Sequence, residues 1–160
     1  MNPNNRNLST SDEGLSLIQQ FESFVGTWYS CPAGKMTIGF GHVQQPVDHH
    51  IVPPISPDFA YALLRQDVVR FENAIKKAVT VPLSQAQFDA LVSLVFNIGE
   101  SNFACSTLLT KLNADNPRAA AVQFSVWIYA TVHGKKQILN GLVQRRKAEQ
   151  TLFLQGCNDE

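Results

Sequence analysis

Charge of neither sign dominates this chain: 13 lysines and arginines are matched by 13 aspartates and glutamates over 160 residues. A protein that gathers phosphates needs a basic surplus to displace condensed counterions, so no nucleic-acid partner is expected. The basic residues that do cluster, Lys76 and Lys77, Lys135 and Lys136, and Arg145 to Lys147, are expected on solvated helix faces. Cysteine is scarce: Cys31, Cys105 and Cys157 are odd in number and irregular in spacing, which excludes a disulfide framework and any CxxC metal site and predicts thiols made in a reducing compartment. No apolar run is long enough to span a bilayer, and the start, MNPNNRNLSTSDEG, lacks the basic flank and apolar core of a signal peptide. Synthesis in the cytoplasm without a signal of its own is the expectation.

What is present suits a soluble globular fold, since 44% hydrophobic residues in a chain of this length can bury a core without covalent staples. Residues 1–9 are polar and rich in asparagine, which predicts a flexible N-terminus. Thr10 and Glu13 have the spacing of a capping box, and Leu17, Ile18, Phe21 and Phe24 give a first helix its apolar stripe, with Glu22 one turn beyond Ile18. From Thr27 to Val43, β-prone and aromatic residues flank a Pro32-Ala33-Gly34 turn, the pattern of a short hairpin. Gly39 and Gly41 alternate with Ile38, Phe40 and His42, which implies a close approach of some other group to this backbone.

Ser56 as N-cap and Pro57 in the first turn open a long helix carrying Phe59, Leu63, Leu64, Val68, Phe71 and Ile75. Ser84 and Gln87 form a second capping box before Phe88, Leu91, Val92 and Val95, a stripe that ends at Gly99. Further helices are predicted near 107–112, from Asn116-Pro117 through Ala120, Phe124, Trp127 and Ile128, and from Leu142 to Leu154, stopped by Gly156. The expected class is α+β, mainly α, as a single domain over 10–160. Its parts are an N-lobe with a β-hairpin at about 10–55, a linking helix at about 57–79 and a helical C-lobe at about 80–157.

Glu22, Cys31 and Thr37 bring a helix end, a hairpin turn and a strand into one short segment. Burial favours the neutral form of a carboxylic acid, and a neutral acid is what a glycosidic leaving oxygen requires. Taken alone, a glutamate at a helix end reads as a surface residue. Asp48, His49 and His50 are adjacent, but in a loop with no second ligand pair, so a solvated loop is expected and no metal.

The segment ESFVGTWYSCPAGKMTIGFGH resembles the active-site signature of the phage lysozyme family, glycoside hydrolase family 24: Glu, eight residues, Asp or Cys, five residues, Thr. SQAQFDALVSLVFNIGESNF resembles that family's central helix and GLVQRRKAEQTLFL its C-terminal helix, so the resemblance runs from about Thr10 to Gly156. It implies a lysozyme-like fold with a cleft between two lobes, no cofactor, and hydrolysis of the β-1,4 bond between N-acetylmuramic acid and N-acetylglucosamine in peptidoglycan. Glu22 would then be the general acid, Thr37 would help to hold the attacking water, and Cys31 takes the place where many members have Asp. A free thiol has a pKa of about 8.5 and is mostly neutral at pH 7. Such a group can activate water in an inverting enzyme, whereas direct attack on the sugar would make the enzyme retaining. Val43, Phe96 and Thr107 align with cleft-lining positions, His42 with a histidine paired to Asp67, and Arg145 and Arg146 with a pair expected to pack or form salt bridges. The resemblance also implies a monomeric endolysin made in a host cytoplasm and reaching the periplasmic wall through a holin or a secretion system. The alternatives are a lytic transglycosylase, which leaves 1,6-anhydro ends, and a peptidoglycan-binding module without turnover.

Overall fold

The chain ahead of the first long helix is tied down. In the computed structural model, which describes residues 1–157, Pro3–Asn5 form a 3-10 turn and Asn5 is fully buried. Its amide donates to the Val81 carbonyl and its carbonyl accepts from the Leu83 N–H, both at 2.8 Å. The polar composition that predicted a flexible terminus thus supplies a clip onto residues 81–83. Helix α1 (Asp12–Glu22) is capped by Ser11, whose hydroxyl accepts from Gly14, one residue later than the capping-box spacing predicted. Thr10 gives both its N–H and its hydroxyl hydrogen to Glu72 (2.9 and 2.6 Å), so the N–H that Glu13 would take in the predicted box is already engaged.

After α1 come β1 (Val25–Ser30), β2 (Met36–Gly39) and the two-residue β3 (His42–Val43), an antiparallel sheet in that order. The turn at Pro32-Ala33-Gly34 forms as expected, closed by hydrogen bonds from Gly34 N to Cys31 O (2.8 Å) and from Cys31 N to Lys35 O (2.9 Å). Ser56 caps α2 (Pro57–Ala78), the 22-residue helix that touches the sheet and also α3 (Gln85–Ile98). At Gly39, which has a φ of +71°, a Cβ would stand 3.1 Å from the Cβ of Ala60, so the missing side chain lets the strand lie against α2.

Helix α3 is the centre of the molecule. Its capping box at Ser84 and Gln87 forms, and every residue from Gln87 to Val95 is buried, because α1, α2 and α7 (Asn140–Gln155) all pack on it. Each large apolar side chain so placed contributes roughly 1.5–3 kcal/mol. Helix α1 packs on α3 and α7, so the first helix in sequence belongs with the helical part rather than with the sheet that follows it. Short helices α4 (Glu100–Ala104), α5 (Thr107–Asn113) and α6 (Pro117–Val122) complete the path.

The helix predicted through Phe124, Trp127 and Ile128 does not continue. It breaks into a 3-10 turn at Gln123–Val126, and the chain then forms a hairpin, β4 (Tyr129–Val132) with β5 (Lys135–Ile138). His133 and Gly134 both have positive φ, the requirement of a two-residue hairpin turn. Lys135 and Lys136 therefore sit on a strand, not on the helix face expected for them.

The sheet is anchored to α2 by His42. Its Nδ1 lies 2.8 Å from Asp67 Oδ2, the pairing expected, and its Nε2 lies 2.8 Å from Asp48 Oδ2. Asp48 is buried and also accepts the Gln45 N–H at 2.6 Å, so it is a structural partner and not part of a solvated loop; His49 and His50 are exposed. Burial opposes the charge on Asp48, but the Gln45 N–H and His42 outweigh it and hold its carboxyl below the ordinary range. Hydrogen bonding to Asp67 first, with Asp48 and against burial, raises His42 from 6.5 to about 9. A raised histidine pKa stabilises the fold fully below the unfolded value and loses that contribution as pH climbs through the folded one. The shift from 6.5 to about 9 is worth about 3 kcal/mol. Urea unfolding of wild type is expected to lose up to that amount between pH 6 and 10. Asp67→Asn should lose much less over the same interval, with the His42 ring resonances titrating at lower pH.

Candidate active site

Glu22 is the last residue of α1, and the chain turns away immediately afterwards because Ser23 takes a positive φ of 54°. One carboxylate oxygen, Oε1, accepts a hydrogen bond from Arg145 Nη1 at 2.7 Å. The other, Oε2, faces Gly41: a Cβ there would stand 3.0 Å from it. Gly41 has a φ of +82°, and its bare backbone is what admits the carboxyl, the close approach that the alternating glycines implied. Gly41 also lines a cleft of about 350 Å³, together with Val43, Asp67, Phe71 and Phe96. Phe71 and Phe96 meet edge to face there with centroids 5.4 Å apart.

Cys31 opens the turn between β1 and β2 and is partly exposed. Its thiol is held below the ordinary value by the Lys35 main chain first, then by that of Ala33 and by Thr37, against a smaller opposing effect of burial. Thr37 is buried on β2, and its hydroxyl donates to the Lys35 carbonyl at 3.1 Å. Tyr29 lies directly across the strands from Thr37. Its phenol is raised by burial and then by the charges of Glu22 and Cys31, so the three side chains share one region. The arrangement places an acid fixed by a cation on one side and a thiol with a neighbouring hydroxyl on the other.

Of the predicted cleft residues, Val43 and Phe96 line the cavity. Thr107 is exposed in the first turn of α5 and is not among the lining residues. Among the described residues no group of three His, Cys, Asp or Glu side chains could hold a metal ion, and no helix is long and apolar enough to cross a membrane.

The residue that sequence reasoning placed too far from the chemistry is Arg145. A salt bridge was expected of it, but the partner includes Glu22, 123 positions away. Arg145 is buried rather than on a solvated face; it also donates to the Ser93 carbonyl at 3.1 Å and to Glu149 Oε2 at 3.4 Å. Arg146, equally buried, donates to Asn97 Oδ1 (3.0 Å) and to the Trp127 carbonyl (3.3 Å), and its Nε stands 2.6 Å from Glu149 Oε1. Burial pushes the Glu149 carboxyl up, against the pull of both guanidiniums.

Breaking a buried ion pair strands its partner, so Arg146→Met is expected to lower the unfolding free energy by about 3–5 kcal/mol. Arg65→Met, which removes an exposed partner of Asp12, should leave it nearly unchanged; urea denaturation measures both. In a pH series of iodoacetamide labelling read by peptide mass spectrometry, Cys31 should be modified with an inflection below that of the same cysteine in the urea-unfolded chain, since the thiolate is the reactive form.

Residues 19–149 match the family model described as Phage lysozyme. The endolysin of Acyrthosiphon pisum secondary endosymbiont phage 1 is 41% identical over 143 residues, covering 89% of this chain and 96% of that protein. The endolysin of Salmonella phage P22 is 40% identical over 150 residues, covering 92% and 99%. Among solved structures, the muramidase domain of SpmX from Asticaccaulis excentricus superposes with a TM-score of 0.84 at 34% identity, covering 92% of this chain and 99% of that one. The chain belongs to the phage lysozyme family and is a peptidoglycan-hydrolysing lysozyme.

Proposed function

We propose that Glu22 is the general acid that protonates the oxygen leaving from the β-1,4 bond between N-acetylmuramic acid and N-acetylglucosamine, and that Cys31 and Thr37 hold and activate the water that replaces it. The observation that carries this reading is the split environment of the Glu22 carboxyl: Arg145 fixes Oε1, and Oε2 is turned to Gly41 at the edge of the cleft. A proton on Oε2 would thus meet a bond laid along the cleft, while Arg145 keeps the carboxyl from rotating. The lowered thiol pKa at Cys31 supports a water-activating role, because it raises the thiolate fraction near neutral pH and a thiolate can accept a proton from water. Val43, Phe71 and Phe96 offer apolar surface to the sugar faces, and Gln45 and Gln66 offer amides to their polar groups. Thr107 is retained as a more distant contact for an extended glycan.

In this reading the protein acts as a monomeric endolysin on the periplasmic cell wall, with a holin-type membrane lesion or a secretion apparatus as its route there. Digestion of purified peptidoglycan by wild type and Glu22→Gln, followed by mass spectrometry of the fragments, tests the chemistry. Reducing N-acetylmuramic ends are expected from wild type, and the variant should be slower by about 10²–10⁴, the usual contribution of a general acid. Anhydro ends would assign the protein to the transglycosylases, and equal rates for the two proteins would remove Glu22 from the mechanism.

A further inference from the structure

Glu22 has to meet two opposed requirements. A general acid must hold a proton when substrate arrives, yet Arg145 Nη1 grips Oε1 at 2.7 Å, and an opposite charge in contact favours the ionised form. The other titratable side chains of this region, Tyr29 on β1 and Cys31 in the turn after it, carry no positive charge. Among the described residues Arg145 is the one cation that forms a salt bridge with Glu22, and so the group that would draw its proton away.

Arg145 does not give Glu22 its whole charge. Its Nε lies 3.4 Å from Glu149 Oε2, and its Nη2 donates to the Ser93 carbonyl at 3.1 Å. Glu149 is fully buried and takes no part in the chemistry described above. It accepts from the Ser93 hydroxyl at 2.6 Å and from Arg146 Nη2 at 3.2 Å, with Arg146 Nε 2.6 Å from its second oxygen. Ser93, in the middle of α3, therefore fixes both members of the Arg145 and Glu149 pair, one through its carbonyl and the other through its hydroxyl. Burial holds Arg146 below the ordinary guanidinium range; Glu149 opposes this, and so does the charge of Glu22, which means that the field of the acid reaches across the whole cluster. Two guanidiniums thus face Glu22, and Glu149 cancels one of their charges.

We propose that Glu149 is a positioning residue for catalysis that acts through Arg145: it takes up part of the guanidinium charge, so that Arg145 can orient the Glu22 carboxyl without stripping its proton. The inference rests on the reading of Glu22 as the general acid. A Glu149 present only to satisfy two buried arginines would stabilise the fold and leave the titration of Glu22 where it is.

Carbon NMR of the Glu22 side-chain carboxyl against pH tests this, with the basic limb of kcat/KM on purified peptidoglycan as the second readout. Each variant is assayed at a temperature where far-UV dichroism shows it folded. Glu149→Gln leaves two guanidiniums uncompensated and should move the Glu22 midpoint and the limb down by about one pH unit, the effect of one unit charge several ångströms away at a protein-like dielectric. Arg146→Met leaves Glu149 a single guanidinium and should move both up by a similar amount. The double variant again leaves one net positive charge beside Glu22 and should return both toward wild type. Both single variants destabilise the fold, and a structural role would not make them shift the acid in opposite directions. A Glu22 midpoint that stays in place, or that both single variants move the same way, overturns the proposal. Where a single variant does not fold, wild type decides: the Glu149 resonance at pH 7 should be that of a carboxylate, and a neutral Glu149 overturns the proposal as well. A midpoint that shifts as expected while the limb stays in place removes Glu22 as the acid, a failure of the reading above and not of the link to Glu149.

Discussion

Glu149 places a carboxylate where water does not reach, and much of the helical part of the molecule is arranged to satisfy it. A lone buried carboxylate would cost several kcal/mol. Two consecutive arginines of the same helix, one turn earlier, turn inward with it, and the Ser93 hydroxyl adds a hydrogen bond at 2.6 Å. The arginines bring more donors than Glu149 can absorb. The surplus reaches outward to the Ser93 carbonyl in α3, to the Trp127 carbonyl at the foot of the hairpin and to Glu22 at the end of α1. The position of the Glu22 carboxyl, the proposed acid, is thereby tied to how a buried charge is compensated in α7.

This explains which parts of the molecule were legible in the sequence. Signals that act over three or four residues read correctly: Ser56 before Pro57, the Ser84 and Gln87 box, Asn116 before Pro117, and the Pro32-Ala33-Gly34 turn. The phage lysozyme family and the mainly helical class were legible as well, because three separated blocks carry them. What misled were residues whose partners lie far off in sequence. Thr10 has the spacing of a cap, but Glu72 claims it. Asp48 stands beside two histidines and bonds to neither, turning instead to His42. The run through Phe124, Trp127 and Ile128 keeps helical spacing, yet the His133-Gly134 pair between two β-prone stretches was the stronger signal and marked a hairpin.

The candidate site divides the same way. Glu22, Cys31 and Thr37 lie within 16 residues of one another, and the resemblance of that segment to the family's signature is what marked them. Arg145 carries no local mark of its link to Glu22: an Arg-Arg pair in a helix reads as an exposed basic face, and only the packing of α7 against α1 and α3 turns it inward. The glycines are intermediate. Their alternation announced a close approach at the strand without saying that Ala60 and Glu22 are what approaches.

The affiliation of α1 has a mechanical consequence. Glu22 closes a helix that packs on α3 and α7, whereas Thr37 stands on the sheet and Cys31 in its first turn; the sheet rests on α2, is tied to it by the His42 to Asp67 link, and reaches Glu22 and Phe96 at Gly41. The two halves of the proposed chemistry therefore ride on different bodies, joined in sequence by only two residues, Ser23 and Phe24. Where the sheet sits against α2 therefore sets the gap across which a water would be held. A substitution at the sheet-to-α2 contact, remote from any sugar, can thus change the rate without touching a reacting group.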